Sequence, residues 1–244
     1  MANSYFQFEK FIIRQDRCAR KVGTDSVILG CLADLTGVGT VLDVGAGTGL
    51  LSILLATRSA EIAADAVEID QQAARQAEEN IKENGLEERI RVIAADFREF
   101  SPEKRYDLVI SNPPYFTRGP GASSKEREIS RYTSTLPHLE LLEKAARLLA
   151  PAGSVAVCLP HDAYGRLEPQ LADIGLRPVD ITCVRPSPSR PFYLAVATMK
   201  DIRSEDACRR QEQAIRDEDG FFSAWYRALT EKVYLRNKCW DRRI

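Results

Sequence analysis

The chain has 244 residues, 44% of them hydrophobic, and a formal net charge of −1. That length and composition fit one large or two small globular domains, and near-neutrality excludes a globally basic nucleic-acid binder. No apolar stretch approaches the ~20 residues of a membrane span, and MANSYFQFEKF lacks the basic start and apolar run of a signal peptide.

Six cysteines, at 18, 31, 158, 183, 208 and 239, show no metal-like spacing, and most sit in apolar runs. Reduced thiols, no bound metal and a cytoplasmic location are expected. His138 and His161 lack a Cys or His partner in a ligand pattern and read as surface or cap residues. Charge is unevenly spread. Segments 9–21 and 231–244 each carry +3 and segment 118–131 carries +2, whereas 59–99 carries −6. If the first three converge, they form a basic face on a neutral body; scattered solvated charge gives the same counts.

After 38 N-terminal residues, 41–44 reads as a strand, ending in the glycine loop Gly45-Ala46-Gly47-Thr48-Gly49 and a helix. Residues 66–69, 90–94 and 108–110 read as further strands, with a helix over 71–84 that Asn84-Gly85 stops. A helix over 136–149, a strand over 154–159, a helix over 162–174 and strands over 180–184 and 192–198 follow. The last two are joined by a short proline-rich link, which suits an antiparallel pair. Residues 116–134 read as a long loop and 204–235 as helical. Strands alternating with helices imply an α/β fold with a doubly wound, mostly parallel sheet. Segment 1–38 would be an extension, 39–200 the core, and 201–244 a C-terminal helical segment.

Residues 112–115 read Asn-Pro-Pro-Tyr, just past a strand end. Two prolines donate no backbone hydrogen bond and each fixes φ at about −65°. The result is a stiff loop with an amide at one end and a ring at the other, suited to one flat polar group. The loop Asp43-x-Gly-x-Gly-x-Gly49 permits close main-chain approach. Its spacing is not the GxGxxG of dinucleotide folds, and it lacks the Lys of a phosphate loop. Asp43 suits a cationic amino-acid moiety; Glu68, at the next strand end, suits a ribose diol; Asp96 with Phe97 suits an adenine. Their order at successive strand ends favours S-adenosylmethionine over NAD.

These residues resemble the class I S-adenosylmethionine-dependent methyltransferases, with Asp43–Gly49 as the first motif and Asn112–Tyr115 as the fourth motif of amino- and amide-nitrogen methylating members. The resemblance implies a Rossmann-like, seven-stranded sheet with an antiparallel edge strand. It also implies a catalytic set of Asn112, Pro113, Pro114 and Tyr115: the Asn oxygen and first proline carbonyl accept from the target amine while Tyr115 stacks on the base. A cofactor set of Asp43, Gly45, Gly47, Gly49, Glu68, Asp96, Phe97 and Asn112 goes with it. A narrower resemblance covers nearly the whole chain. Residues 11–25, FIIRQDRCARKVGTD, with Asn112–Phe116, Arg131-Tyr-Thr133 and Val233-Tyr-Leu235, are similar to bacterial methyltransferases acting on N6 of adenine 37 in valine tRNA. That family implies Gly23, Thr24 and Asp25 beside the methionine end of the cofactor. The basic segments then supply candidate tRNA contacts in Arg14, Arg17, Lys21, Arg118, Lys125, Arg127 and Arg131, toward the anticodon arm of valine tRNA.

Other readings stay open. Release-factor glutamine methyltransferases share Asn-Pro-Pro-Tyr but carry a helical N-terminal domain that 38 residues do not supply. Ribosomal RNA guanine-N2 and DNA adenine methyltransferases usually carry a further domain. A non-catalytic S-adenosylmethionine-binding module is disfavoured by the intact Asp43, Asn112 and Tyr115.

Overall fold

The computed structural model describes residues 4–18, 21–114 and 138–235. Tyr115, Arg118, Lys125, Arg127, Arg131 and the loop expected over 116–134 lie outside the described residues, whereas Asn112–Pro114, just ahead of that loop, are described. In chain order the elements are β1 (Tyr5–Gln7), β2 (Ile12–Arg14), α1 (Thr24–Leu32), β3 (Thr40–Val44), α2 (Leu50–Arg58), β4 (Ala63–Glu68), α3 (Gln71–Glu83) and β5 (Ile90–Ala94). Then come β6 (Tyr106–Ser111), α4 (His138–Arg147), β7 (Leu149–Pro160), α5 (His161–Leu167), β8 (Leu176–Arg185), β9 (Leu194–Asp201), β10 (Arg209–Ala214) and α6 (Ala224–Thr230).

Eight strands form one sheet in the order β10-β8-β9-β7-β6-β3-β4-β5, and β1 and β2 form a separate hairpin. Within the eight-stranded sheet every pairing is parallel except those of β9, which runs against both β7 and β8. The antiparallel strand expected on this side of the sheet is therefore β9, with β8 and β10 lying outside it. The sheet has one strand more than expected because 209–214, read from sequence as helical, pairs with β8 from Arg209↔Asp180 to Ala214↔Arg185. Unpaired donors and acceptors on the edge of β8 override the weak helical preference of Arg-Arg-Gln-Glu-Gln-Ala. Within 162–174 the helix stops at Leu167 and two short 3₁₀ turns follow, the first containing Pro169.

The central parallel strands β3, β4 and β6 are buried on both faces, as helix-covered sheets are. Val41, Leu108 and Ile110 point into the core under α1 and α2, while Leu42, Val44 and Val109 point into the core under α4. Removing such a leucine or isoleucine side chain from water stabilises the fold by about 1.5–3 kcal/mol. α1 and α2 approach closely at Gly30, where a Cβ would lie 2.5 Å from Leu54 Cδ2. Among the described residues no helix is long and apolar enough to cross a membrane.

The N-terminal segment is held by α3 through side-chain amides. Gln76, Asn80 and Asn84 recur every four residues, so they share one helix face. Asn84 accepts from Ile12 N (3.0 Å) and donates to Ile12 O (2.8 Å). Asn80 does the same for Arg14 N (2.8 Å) and Arg14 O (3.0 Å), and Gln76 accepts from Arg17 N (2.9 Å). The helix thereby presents an imitation of a strand edge. α3 itself is capped by the Asp70 side chain, which accepts from Gln72 N and Ala73 N. It ends where Gly85, at φ 66°, lets Leu86 N reach Ile81 O at 3.0 Å.

Candidate functional site

The chain winds from β3 to β5 in one direction and returns to β6 and β7 in the other, so the strand order reverses between β3 and β6. Open α/β sheets bind ligands outside the strand ends at that reversal. Two of the sequence motifs fall there: the glycine loop leaves β3, and Asn112-Pro-Pro leaves β6.

Gly45, Gly47 and Gly49 all have positive φ, at 73°, 57° and 78°. The loop is pinned from several sides. Gly45 N and Ala46 N donate to Val67 O at 2.9 and 3.1 Å, Gly47 N donates to Glu68 Oε2 at 2.8 Å, and Thr48 O accepts from Asn80 Nδ2 at 2.9 Å. A Cβ on Gly45 would meet nothing within 4 Å, and one on Gly47 would meet Cys18 Sγ at 3.9 Å. The space over the loop is open, so a ligand can reach the main chain.

Asp43 is fully buried. Its Oδ2 accepts from Ser52 N at 3.1 Å and Ser52 Oγ at 2.8 Å. Gly49, at the N-cap of α2, has no side chain to cap with, and Asp43 satisfies the first turn from the end of β3 instead. Its Oδ1 is buried with no partner among the described residues. Burial pushes the Asp43 carboxyl up to about 7, helped by the nearby Glu68. Glu68 is also pushed up by burial, against the hydrogen bonds it accepts from Asp70 N (2.9 Å) and Gly47 N (2.8 Å). Two buried carboxyls that resist ionisation favour a cationic neighbour.

At the other lip, Asn112 Nδ2 donates to Ser26 Oγ at 2.7 Å. That bond orients the amide and leaves Asn112 Oδ1 buried with no partner among the described residues. Pro113 is buried and Pro114 half-buried. Of the N-terminal residues, Gly23 is the extended N-cap of α1 at φ −113° and Thr24 is the exposed first residue of the helix. Asp25 Oδ1 accepts from Tyr193 OH at 3.0 Å. Burial and the Asp25 carboxylate both raise the Tyr193 phenol, so it stays a donor.

Asp96 and Phe97 stand differently from the expectation of an open adenine contact. The hydrogen-bonded Arg98 side chain holds the Asp96 carboxyl below the usual range. Phe97 is 6% exposed, packed in the core under α4 with Lys144 Nζ 5.1 Å from its ring centre. Ile69, 42% exposed directly after Glu68, is the large apolar side chain open at that strand end. The sequence reading placed it within a strand. Arg14 and Arg17 also differ from an RNA-facing pair: Arg14 makes two 2.7 Å bonds to Glu83 and Arg17 pairs with Glu79, both on α3. Their charge is offset locally, whereas Lys21 is exposed. Ser26, Asn80 and Tyr193 were missed by sequence reasoning; Ser26 had one signal, its place directly after Gly23-Thr24-Asp25.

Comparison with known proteins shows the family and the fold. The methyltransferase small domain family matches residues 21–163. A Tolumonas auensis protein named tRNA1(Val) (adenine(37)-N6)-methyltransferase is 40% identical over 240 residues, 97% of this chain and 99% of the relative. A protein of the same name from Enterobacter sp. strain 638 is 40% identical over 94% of each chain. Among solved structures, a predicted O-methyltransferase from Agrobacterium tumefaciens aligns with TM-score 0.63 at 18% identity, covering 88% of this chain and 100% of that one. The ribosomal protein L11 methylase of Lactobacillus delbrueckii aligns with TM-score 0.56 at 18% identity, covering 78% and 83%. These two share the fold. With a glycine loop and an Asn-Pro-Pro stretch leaving neighbouring strands at the sheet's reversal, and relatives matched almost end to end, the chain belongs to the methyltransferase small domain family and to its tRNA1(Val) (adenine(37)-N6)-methyltransferases.

Proposed function

We propose that this protein transfers a methyl group from S-adenosylmethionine to N6 of adenine 37 in valine tRNA, in the cytoplasm. The observation that carries the reading is the buried Asn112 Oδ1, which has no partner among the described residues and is aimed by the bond from Nδ2 to Ser26. A buried acceptor without a donor is costly unless a ligand supplies one, and an exocyclic amine does.

The residues on the β3 side fit the cofactor. The glycine loop can hold its amino-acid end against the main chain, with Gly23, Thr24 and Asp25 alongside. Asp43 Oδ1 and the remaining lone pairs of Glu68 offer acceptors to the ammonium and the ribose, and Asp96 and the exposed Ile69 border the base, with Phe97 packed in the core behind them. S-adenosylmethionine supplies an electrophilic methyl group on a sulfonium sulfur.

On the β6 side the amine must be made nucleophilic. The N6 lone pair is delocalised into the adenine ring. Asn112 Oδ1 and the Pro113 carbonyl, accepting one N–H each, favour a more tetrahedral nitrogen with its lone pair free. The two prolines keep those acceptors in place, so alignment is prepaid in the fold. A proton leaves N6 for solvent after the N–C bond forms, which requires no strong base. Tyr115 follows directly in sequence and would stack on the extruded base. Lys21 is the basic residue proposed to meet RNA phosphate among the described ones, with Arg118, Lys125, Arg127 and Arg131 outside them.

The test is methylation with labelled S-adenosylmethionine of an unmodified valine tRNA transcript, the same transcript with guanine at position 37, and a release factor. Label as N6-methyladenosine in the first alone supports the reading. Label on protein glutamine, or on neither RNA, overturns it.

A further inference from the structure

The motifs leave unused a cluster on the far side of the Asn-Pro-Pro lip. β8 ends at Arg185, and β9 begins at Leu194, paired with Pro160 at the end of β7. Both ends therefore lie at the ligand-binding end of the sheet. The Arg185 guanidinium lies 5.0 Å from the centre of the Phe192 ring, and Phe192 lies 5.5 Å from the His161 ring at an interplanar angle of 31°. Arg185 Nε is buried with no partner among the described residues. No ion pair among those residues involves Arg185 or the exposed Arg190.

A second cation on a ring stands beside it. Arg216 lies 4.5 Å from the Phe222 ring centre, and Arg216 N donates to Pro186 O at 3.0 Å. The Arg216 guanidinium also donates to Gly220 O at 2.7 Å, and at the start of β10 Arg209 pairs with Asp180 and Arg210 with Glu168. The cluster also joins the reaction centre through three neighbours. Phe192 precedes Tyr193, Tyr193 OH donates to Asp25, and Ser26, next in sequence, accepts from Asn112.

An arginine stacked on a ring with a buried unpaired N–H matches an anion that brings its own oxygens. Beside a site that takes a nucleotide out of its stack, the anion at hand is a backbone phosphate. We propose that Arg185, seated on Phe192 and flanked by Arg216, binds a phosphate of the RNA next to the extruded adenosine. The site rests on the reading of the substrate as tRNA and extends it to a second contact surface, one that the basic sequence segments did not include. Arg185 holds the RNA in register and has no part in the methyl transfer itself.

The test measures binding of the unmodified valine tRNA transcript across a salt series, with S-adenosylmethionine affinity measured in parallel. Arg185→Gln is expected to weaken tRNA binding about tenfold and to reduce the slope of log K against log salt by about 0.7–0.9. S-adenosylmethionine affinity should stay within about twofold of wild type. Arg185→Lys should keep the slope yet lose affinity, because the charge remains and the planar fork does not. Wild-type slope and tRNA affinity in Arg185→Gln, or parallel loss of RNA and S-adenosylmethionine affinity, overturns the site. If Arg185→Gln does not fold, Arg185→Lys decides: reduced affinity supports the site and wild-type affinity overturns it. The underlying reading fails separately, through a wild-type protein that neither binds nor methylates the transcript.

Discussion

The two halves of the sheet treat charge in opposite ways. On the β3-β4-β5 side the strand ends carry Asp43 and Glu68, buried carboxyls that resist ionisation. On the β6-β7-β9-β8 side the same ends carry an Asn112 amide oxygen with no partner among the described residues and an arginine laid on an aromatic ring. A sulfonium and an ammonium suit the first environment and a polyanion suits the second. The N-terminal segment joins them, held to the first half by Asn80 and to the second by Ser26. Donor and acceptor chemistry are therefore separable by mutation.

The sharpest separation is expected at Asn112. Asn112→Ala should lower kcat by about 10²–10³ while leaving S-adenosylmethionine affinity near wild type, since the lost acceptor acts on the RNA amine. Equal loss of cofactor affinity, measured by calorimetry, would erase the division between halves.

Asn80 tests the opposite half. Asn80→Ala leaves Arg14 N, Arg14 O and Thr48 O without partners, so chemical denaturation should show a loss of about 2–4 kcal/mol. Cofactor affinity should fall with it, as the glycine loop loses an anchor. A stable variant with normal cofactor affinity would mean the amide ladder is incidental.

Charge in the donor half should be visible in its pH dependence. A buried carboxyl whose folded pKa lies near 7, above its unfolded value near 4, takes up a proton first in the fold. Its contribution to stability is therefore full at low pH and is lost as pH rises from about 4 to about 7. Acidifying the free protein from pH 8 to pH 5 should stabilise wild type by about 2–3 kcal/mol more than Asp43→Asn. A cationic ligand favours the carboxylate, so binding S-adenosylmethionine near pH 6.5 should release protons, read as binding heats that vary with buffer. Heats independent of buffer would remove the cation-seeking role of this pair.

The smallest effect is expected at the bridge. Ser26→Ala should reduce kcat by about tenfold with little change in the KM for S-adenosylmethionine, and Ser26→Thr should restore most of it. A change confined to the cofactor KM would move Ser26 to the donor half.

Periodicity and turn chemistry made much of this legible before folding. The glycine loop, the Asn84-Gly85 helix stop and the Asn-Pro-Pro stretch are local signals, readable because φ limits act within a few residues. Segment 209–214 was misread because its pairing partner, β8, lies about thirty residues away and polar residues carry little strand preference of their own. Arg14 and Arg17 looked like RNA ligands because their acidic partners on α3 are more than sixty residues off. Phe97 looked like a base contact because its burial depends on α4.

By itself the sequence determined the fold class and named Asp43, Glu68 and Asn112 at the strand ends, since each is written in short-range pattern, whereas the strand order and Arg185 came from the structure. Tertiary structure alone decided which of those groups keep an open valence. Among the described residues, Asp43 has one oxygen on Ser52 and one without a partner, Asn112 has its amide hydrogen on Ser26 and no donor on its oxygen, and Arg185 has a ring beside it and no ion pair. Hydrogen-bond satisfaction is a property of neighbours brought together from distant parts of the chain, and no local pattern encodes it.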